Sequence, residues 1–302
     1  MEKIPKIDVH VHTARYRYNK IAPLYCGTSK SYASPKELIA IYDKIGVEKA
    51  VILPIVNPEA SITLCNEGVY AAVREYPNRF VWFCNIDPRA YLNDPSADLS
   101  FFLEYYKKFG ARGVGEVCAN LPFNDLRVRN LFTHCQKTRL PVLFHIAPHE
   151  GKNYGLVDKI GLPGLESVLR DFPNLVFIGH SQPFWAEISS SITEAERNGY
   201  PSGKITEGRL AELLTRYPNL YCDMSANSGM KALMRDPEYA YRFIERFADK
   251  LLFGTDICMS DNTHPYFFSE WLEKSYNDGC ISKPNYEKIC YINASRLLNI
   301  KI

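Results

Sequence analysis

The run Asp8-Val9-His10-Val11-His12 carries the strongest chemical signal in the sequence. Side chains alternate between the faces of an extended strand, so Asp8, His10 and His12 share one face and Val9 and Val11 the other. Same-face neighbours stand about 6.6 Å apart, near enough for two imidazoles to converge on one cation where a strand end curls. A face with three polar residues makes a poor core. The plainer reading is two part-exposed histidines where a strand meets a loop.

Other potential ligands stand at the C-terminal ends of later β-rich runs: Glu116, His145, His180 and Asp256. Four of the seven histidines fall at such ends. Imidazole with carboxylate suits zinc, and also manganese or iron, and a water at such a cation can have its pKa lowered to about 7. Each acid also has a structural reading. Glu116 could pair with Arg112 or hydrogen-bond His145, and Asp256 could cap a helix that starts after Thr255. Asp8, one pleat deeper, reads best as a group that orients a histidine or satisfies polar groups of the barrel.

Weaker candidates surround these. Arg15, Arg17, Tyr16 and Tyr18 form a basic and aromatic patch suited to a substrate carboxylate or phosphate, or else a solvated loop. His149, Trp185, Asn227 and His264 lie in strand-to-helix segments from which they could line a pocket, though each alone reads as structural or exposed. Cys118 and Cys258 read as small apolar fillers, because neither has a partner histidine in a nucleophile motif.

The elements that must position these groups recur along the chain as short apolar runs: 6–12, 49–56, 79–86, 111–117, 141–146, 175–180, 220–225 and 251–256. Continuous apolar runs, as opposed to strict alternation, are expected of parallel strands covered on both faces. Amphipathic helices alternate with them, such as 34–46, where Ser34 can cap, Pro35 fits the first turn and Glu37 completes a capping box. Three helices end in an aromatic-Pro-Asn step, at Tyr76, Phe172 and Tyr217, where proline stops the helix before the next strand. Eight such units without a break in composition predict one closed (β/α)8 TIM barrel over residues 1–302. No G-x-G-x-x-G follows the first strand, so a dinucleotide fold has little support. The long segments 13–33 and 181–205 should lie at the C-terminal face of the barrel, as lids or specificity loops.

Composition narrows the partners. The 302 residues are 46% hydrophobic, enough for one large core, and 36 Lys and Arg against 34 Asp and Glu leave a formal charge of +2. That charge gives no field favouring nucleic acid or an anionic membrane, so the expected partner is a small-molecule substrate. The nine cysteines lack any C-x-x-C pair, which argues against a structural zinc module or a disulfide scaffold and fits a reducing cytoplasm. The first residues show neither a cleavable apolar stretch nor a membrane span, so a soluble, unprocessed protein is expected.

At this level of detail the chain resembles the amidohydrolase superfamily, and within it the amidohydrolase-related branch. The resemblance rests on DVHVH at 8–12, GVGEV at 113–117, LFHIAPH at 143–149, FIGHS at 177–181, FGTDI at 253–257 and the closing NASRLL at 293–298. It implies that His10 and His12 bind the first metal, and that Asp256 is a further ligand which also takes the proton of an attacking water. His145 resembles the fifth-strand ligand. His180 resembles the sixth-strand histidine, which binds metal in two-metal members and contacts substrate or developing charge in several one-metal members. Glu116 departs from the carboxylated lysine of many two-metal members and from the unliganded fourth strand of decarboxylases. In this it is similar to TatD-like nucleases and some lactonase-like members. The resemblance thus implies a hydrolase of amide, lactone or ester bonds using one or two divalent metals, most simply zinc. The alternative is a one-metal, non-hydrolytic decarboxylase. Family members often self-associate, which implies a homodimer.

Overall fold

The computed structural model describes residues 4–15, 20–21, 30–60 and 64–302. Its frame is eight strands: β1 (Lys6–Val11), β2 (Val47–Ile52), β3 (Phe80–Trp82), β4 (Val114–Val117), β5 (Val142–Ala147), β6 (Phe177–His180), β7 (Leu220–Asp223) and β8 (Leu251–Leu252). All pair in parallel, β1–β2–β3 in one ladder and β4 through β8 in another. Two bridges close the ring. Cys84 pairs with Val114 between β3 and β4, and Val11 pairs with Ile257 beyond β8. The fold is therefore the α/β TIM barrel that the alternation of elements predicted.

Sequence and packing agree along this frame. β1 and β5 are buried over their whole lengths, as strands covered on both faces must be. Inside the ring, Ile7, Val9, Val51, Phe83, Leu143, Ile178 and Leu252 fill the barrel, and Leu298 and Ile300 pack against them from the C-terminus. A second, larger cluster lies between the strands and the helices.

The helices α1 (Pro35–Ile45), α2 (Asn66–Glu75), α3 (Ser100–Lys108), α4 (Leu126–Thr138) and α5 (Pro163–Asp171) follow the first five strands. The capping box of α1 forms as expected: Ser34 accepts from the Glu37 backbone, and Glu37 accepts from the Ser34 backbone at 2.8 Å. The aromatic-Pro-Asn steps end α2, α5 and the later α7 (Arg209–Arg216), in which the intervening α6 is Gln182–Ala186. The chain then runs through α8 (Ala226–Met234) and α9 (Pro237–Phe247), and after β8 through α10 (His264–Asn277). Among the described residues no helix is long and apolar enough to cross a membrane.

The long segment after β1 contributes a two-residue antiparallel ladder, Lys20–Ile21 with Lys30–Ser31. Most of the rest of it lies outside the described residues. The segment after β6 forms α6 and folds back through a bridge from Ser189 to Glu207. A short strand, Leu156–Val157, also leaves the ring to pair with the end of β5.

Candidate metal centre

The C-terminal ends of β1, β4, β5, β6 and β7 and the turn after β8 bring their polar side chains together. His10 is fully buried, and its Nδ1 lies 2.7 Å from Asp223 Oδ2. His12 Nδ1 lies 2.9 Å from the Leu53 carbonyl oxygen, which can only accept. Each neutral imidazole has one N–H, and these partners fix it on Nδ1, so both Nε2 atoms present lone pairs. Those two Nε2 atoms are 2.9 Å apart. Glu116 Oε2 stands 3.5 and 3.3 Å from them, and Asp256 Oδ1 3.4 Å from each.

With both imidazoles neutral, four electron-pair donors would face one another with no hydrogen among them, an arrangement that repels itself unless positive charge, either a cation or ring protons, sits at its centre. Four bonds of about 2.0–2.2 Å to a tetrahedral metal imply ligand-to-ligand edges of about 3.3–3.6 Å; the imidazole-to-carboxylate distances match these, and the 2.9 Å between the two Nε2 atoms is shorter. The electrostatics point the same way. Burial alone would discharge His10, yet Asp256, Glu116 and Asp223 hold its pKa well above the usual value. Burial would also raise Glu116, but His10 and the hydrogen bonds from His10, His12 and His145 hold it well below the carboxylate range. The site demands positive charge where the Nε2 atoms meet.

A second group of possible ligands shares the same glutamate. Glu116, His145 and His180 each offer an atom within 4.8 Å of the others, and all are buried. Glu116 Oε1 is 2.8 Å from His145 Nδ1 while its Oε2 faces the first group. Burial holds the His145 pKa below its usual value, which keeps that ring neutral and able to donate an electron pair. His180 turns its Nδ1 to Asp223 Oδ2 at 3.0 Å and directs Nε2 toward Asp256 Oδ2 at 3.8 Å.

Asp223 is the site residue that sequence reasoning missed. It is fully buried at the end of β7 and holds His10 and His180 through the same oxygen. Those two imidazoles keep its carboxyl far below the ordinary range against the effect of burial. The signal was present, because Asp223 ends an apolar run just as His145 and His180 do. Asp8 satisfies polar groups of the barrel, one of the two roles expected of it, and is bonded to no imidazole ring among the described residues. It accepts from the His10 backbone, the Tyr42 hydroxyl and the Thr255 backbone, tying β1 to α1 and to the turn after β8. Burial raises its pKa to about 6.

The pocket above the cluster encloses about 500 Å³ open to solvent, with His12, Glu116, His145 and Asp256 on its floor. Tyr32, Ile55, Tyr154, Cys118 and Cys258 wall it. Asp256, 22% exposed, is the acid that faces the opening. No helix starts beside it, since α10 begins only at His264, so the cap reading of Asp256 is set aside. Cys118 is buried, with its thiol pKa pushed well up by burial and by Glu116, as suits a filler.

Arg15, His149, Trp185, Asn227 and His264 are not among the residues that wall the pocket. Arg15 is 44% exposed, with its Nε 3.1 Å from Glu75 Oε2, outside the pocket wall. Arg17, Tyr16 and Tyr18 lie outside the described residues. His149 is exposed and lies 3.2 Å from the Glu150 carbonyl. Trp185 is buried and supports the site from behind, donating to the Asp223 carbonyl at 2.8 Å. Asn227 is half-buried in α8, away from the residues that wall the pocket. His264 closes on the Thr255 carbonyl at 2.6 Å. These side chains sit in loops and helix starts, where direction depends on packing that no strand period reveals.

The comparisons with known proteins agree with this frame. A comparison with curated sequences finds no match. Among solved structures, an uncharacterised TIM-barrel protein from Bordetella bronchiseptica is similar at 18% identity, covering 98% of this chain and 99% of that one, with a TM-score of 0.66. A probable 2-pyrone-4,6-dicarboxylic acid hydrolase from Acinetobacter baumannii, with citric acid bound, shares 14% identity over 98% and 99% of the two chains, with a TM-score of 0.61. A dihydroxybenzoic acid decarboxylase from Polaromonas sp. JS666, with manganese and the inhibitor 2-nitroresorcinol, shares 16% identity over 98% and 97%, with a TM-score of 0.60. The family model described as Amidohydrolase matches residues 7–300. With nearly its whole length matched and candidate ligand groups at the strand ends, the chain belongs to the amidohydrolase family and is an enzyme of that superfamily.

Proposed function

We propose that the protein is a metal-dependent hydrolase of a small-molecule amide, lactone or ester. His10, His12, Glu116 and Asp256 would hold one divalent cation, and Glu116, His145 and His180 a second. The observation that carries this reading is Glu116, whose two oxygens face the two ligand groups separately, as a carboxylate shared between two metals must. Zinc suits the imidazole and carboxylate donors, and manganese or iron would be accepted by the same set. A divalent cation held there supplies a Lewis acid that acidifies water and polarises a carbonyl.

The chain's own groups do the rest. Asp256, open to the pocket and beside both Nε2 atoms, accepts the proton of the attacking water and returns it to the leaving group. His180 is fixed by Asp223 and Ser225 with Nε2 toward Asp256, so that one nitrogen would hold the second cation or, in a one-metal centre, face charge that develops on the substrate. The apolar walls exclude competing water. A soluble cytoplasmic enzyme fits the cysteine usage read above.

The second reading, a one-metal decarboxylase, has one observation in its favour. At 2.8 Å, His145 Nδ1 can simply donate to Glu116, which leaves a single ligand group. Reaction in ¹⁸O-labelled water separates the two. Incubation with lactone, ester and amide panels should place label in the product acid. Release of carbon dioxide from aromatic acids without label incorporation would contradict hydrolysis.

A further inference from the structure

Away from the metal centre, helix α3 carries a face that the proposed chemistry does not use. Leu103 is the buried residue of α3. Phe101, Tyr105 and Phe109 are 71%, 49% and 42% exposed. At a spacing of four they form one stripe along the helix and its C-terminal cap. The stripe widens into a patch: Phe101 meets Phe102 at 5.3 Å and Phe102 meets Tyr91 at 5.8 Å between ring centres. Leu92 and Leu126 are 88% and 69% exposed, and their segments are joined by a 2.8 Å hydrogen bond from Arg127 to Asn93. Contiguous apolar surface of this kind marks a site of association in a soluble protein.

We propose that this face pairs two copies of the chain, with α3 packed antiparallel on α3 of the second copy about a twofold axis at Tyr105. The order Phe-x-x-x-Tyr-x-x-x-Phe reads the same in both directions, as a self-complementary interface requires. The axis sets Phe101 on the second copy's Phe109 and Tyr105 on its counterpart. Phe109 borders a groove of about 280 Å³ walled by Tyr70, Trp82 and Tyr105, which receives the incoming Phe101 ring. Charge at the rim is self-complementary too. Glu104 and Lys108 are exposed on one flank of the stripe. In the antiparallel arrangement each Glu104 lies within about 3 Å, measured along the helix, of the second copy's Lys108, so two opposite-sign pairs form. A different protein partner would have no reason to match a palindromic order.

Sedimentation equilibrium on the full chain tests the pairing. The wild type should be dimeric, and the double variant Phe101→Asp/Tyr105→Lys should pair roughly 30-fold more weakly or worse, with its circular dichroism unchanged. A charge-exchange arm is independent of the aromatic variant. Glu104→Lys and Lys108→Glu should each self-associate less than the wild type, whereas a mixture of the two should recover dimers, because every cross pair is then of opposite sign. A monomeric wild type, a dimer unaffected by the aromatic substitutions, or a mixture no tighter than its components would overturn the proposal.

Discussion

Asp223 shows how much of the site depends on a residue that would not touch a metal. By fixing the N–H of His10 and His180 on Nδ1, it sets which nitrogen each ring turns inward. Asp223→Asn should therefore lower metal affinity by about 10- to 100-fold while the fold persists, read by competition with a chelator. An affinity equal to the wild type would remove that role. Asp256→Asn should reduce kcat by about 10²- to 10⁴-fold as the proton acceptor is lost, measured on whichever hydrolysed substrate is found. At this scale the candidate ligands His10, His12, Glu116, His145, His180 and Asp256 were legible because each stands at the end of a strand or just beyond it. Arg15 and Trp185 were not legible, because loop residues point where Glu75 and the Asp223 carbonyl draw them.

The elements around the site hold its walls by a few close contacts. The short strand after β5 places Tyr154 against the His145 ring at 4.5 Å, and Gly155 makes that approach possible. Its φ is +109°, and a Cβ there would meet His145 Cδ2 at 2.8 Å and the His145 carbonyl at 2.9 Å. Gly155→Ala should cost about 1–3 kcal/mol in urea unfolding and displace His145, with reduced activity as a second readout. The loop after β2 is fastened by Arg89, which pairs with Glu59 and Asp87, while Asn57 joins Asp87 to the Cys118 backbone. Burial opposes ionisation of Glu59 and Asp87, but Arg89 holds both pKa values below the usual range. Depressed carboxylate pKa values give stability that is present above the unfolded pKa of about 4 and lost as pH falls through the lower, folded values. Arg89→Met should then destabilise the protein near neutral pH and differ less from wild type at about pH 3, as unfolding midpoints would show. No local pattern signals this fastening, since it joins side chains from separate loops. The Ser34 capping box, whose partners are three residues apart, was fully readable.

At the scale of the molecule, eight apolar runs separated by helices were enough to specify a closed parallel barrel, because such runs bury themselves only between helices and neighbouring strands. The closure bonds themselves, Val9 to Phe253 and Cys84 to Gly113, join distant parts of the chain and carry no local signal. That closure gathers strand ends from around the ring into one cluster, whose proposed occupants are divalent metal ions. Metal content per chain, by elemental analysis of the protein purified without chelator and of its Glu116→Ala variant, tests this most directly. The proposed two-metal centre predicts about two divalent ions in the wild type and one or fewer in the variant. A wild type without stoichiometric metal would contradict it, and a single ion untouched by the substitution would contradict the shared glutamate.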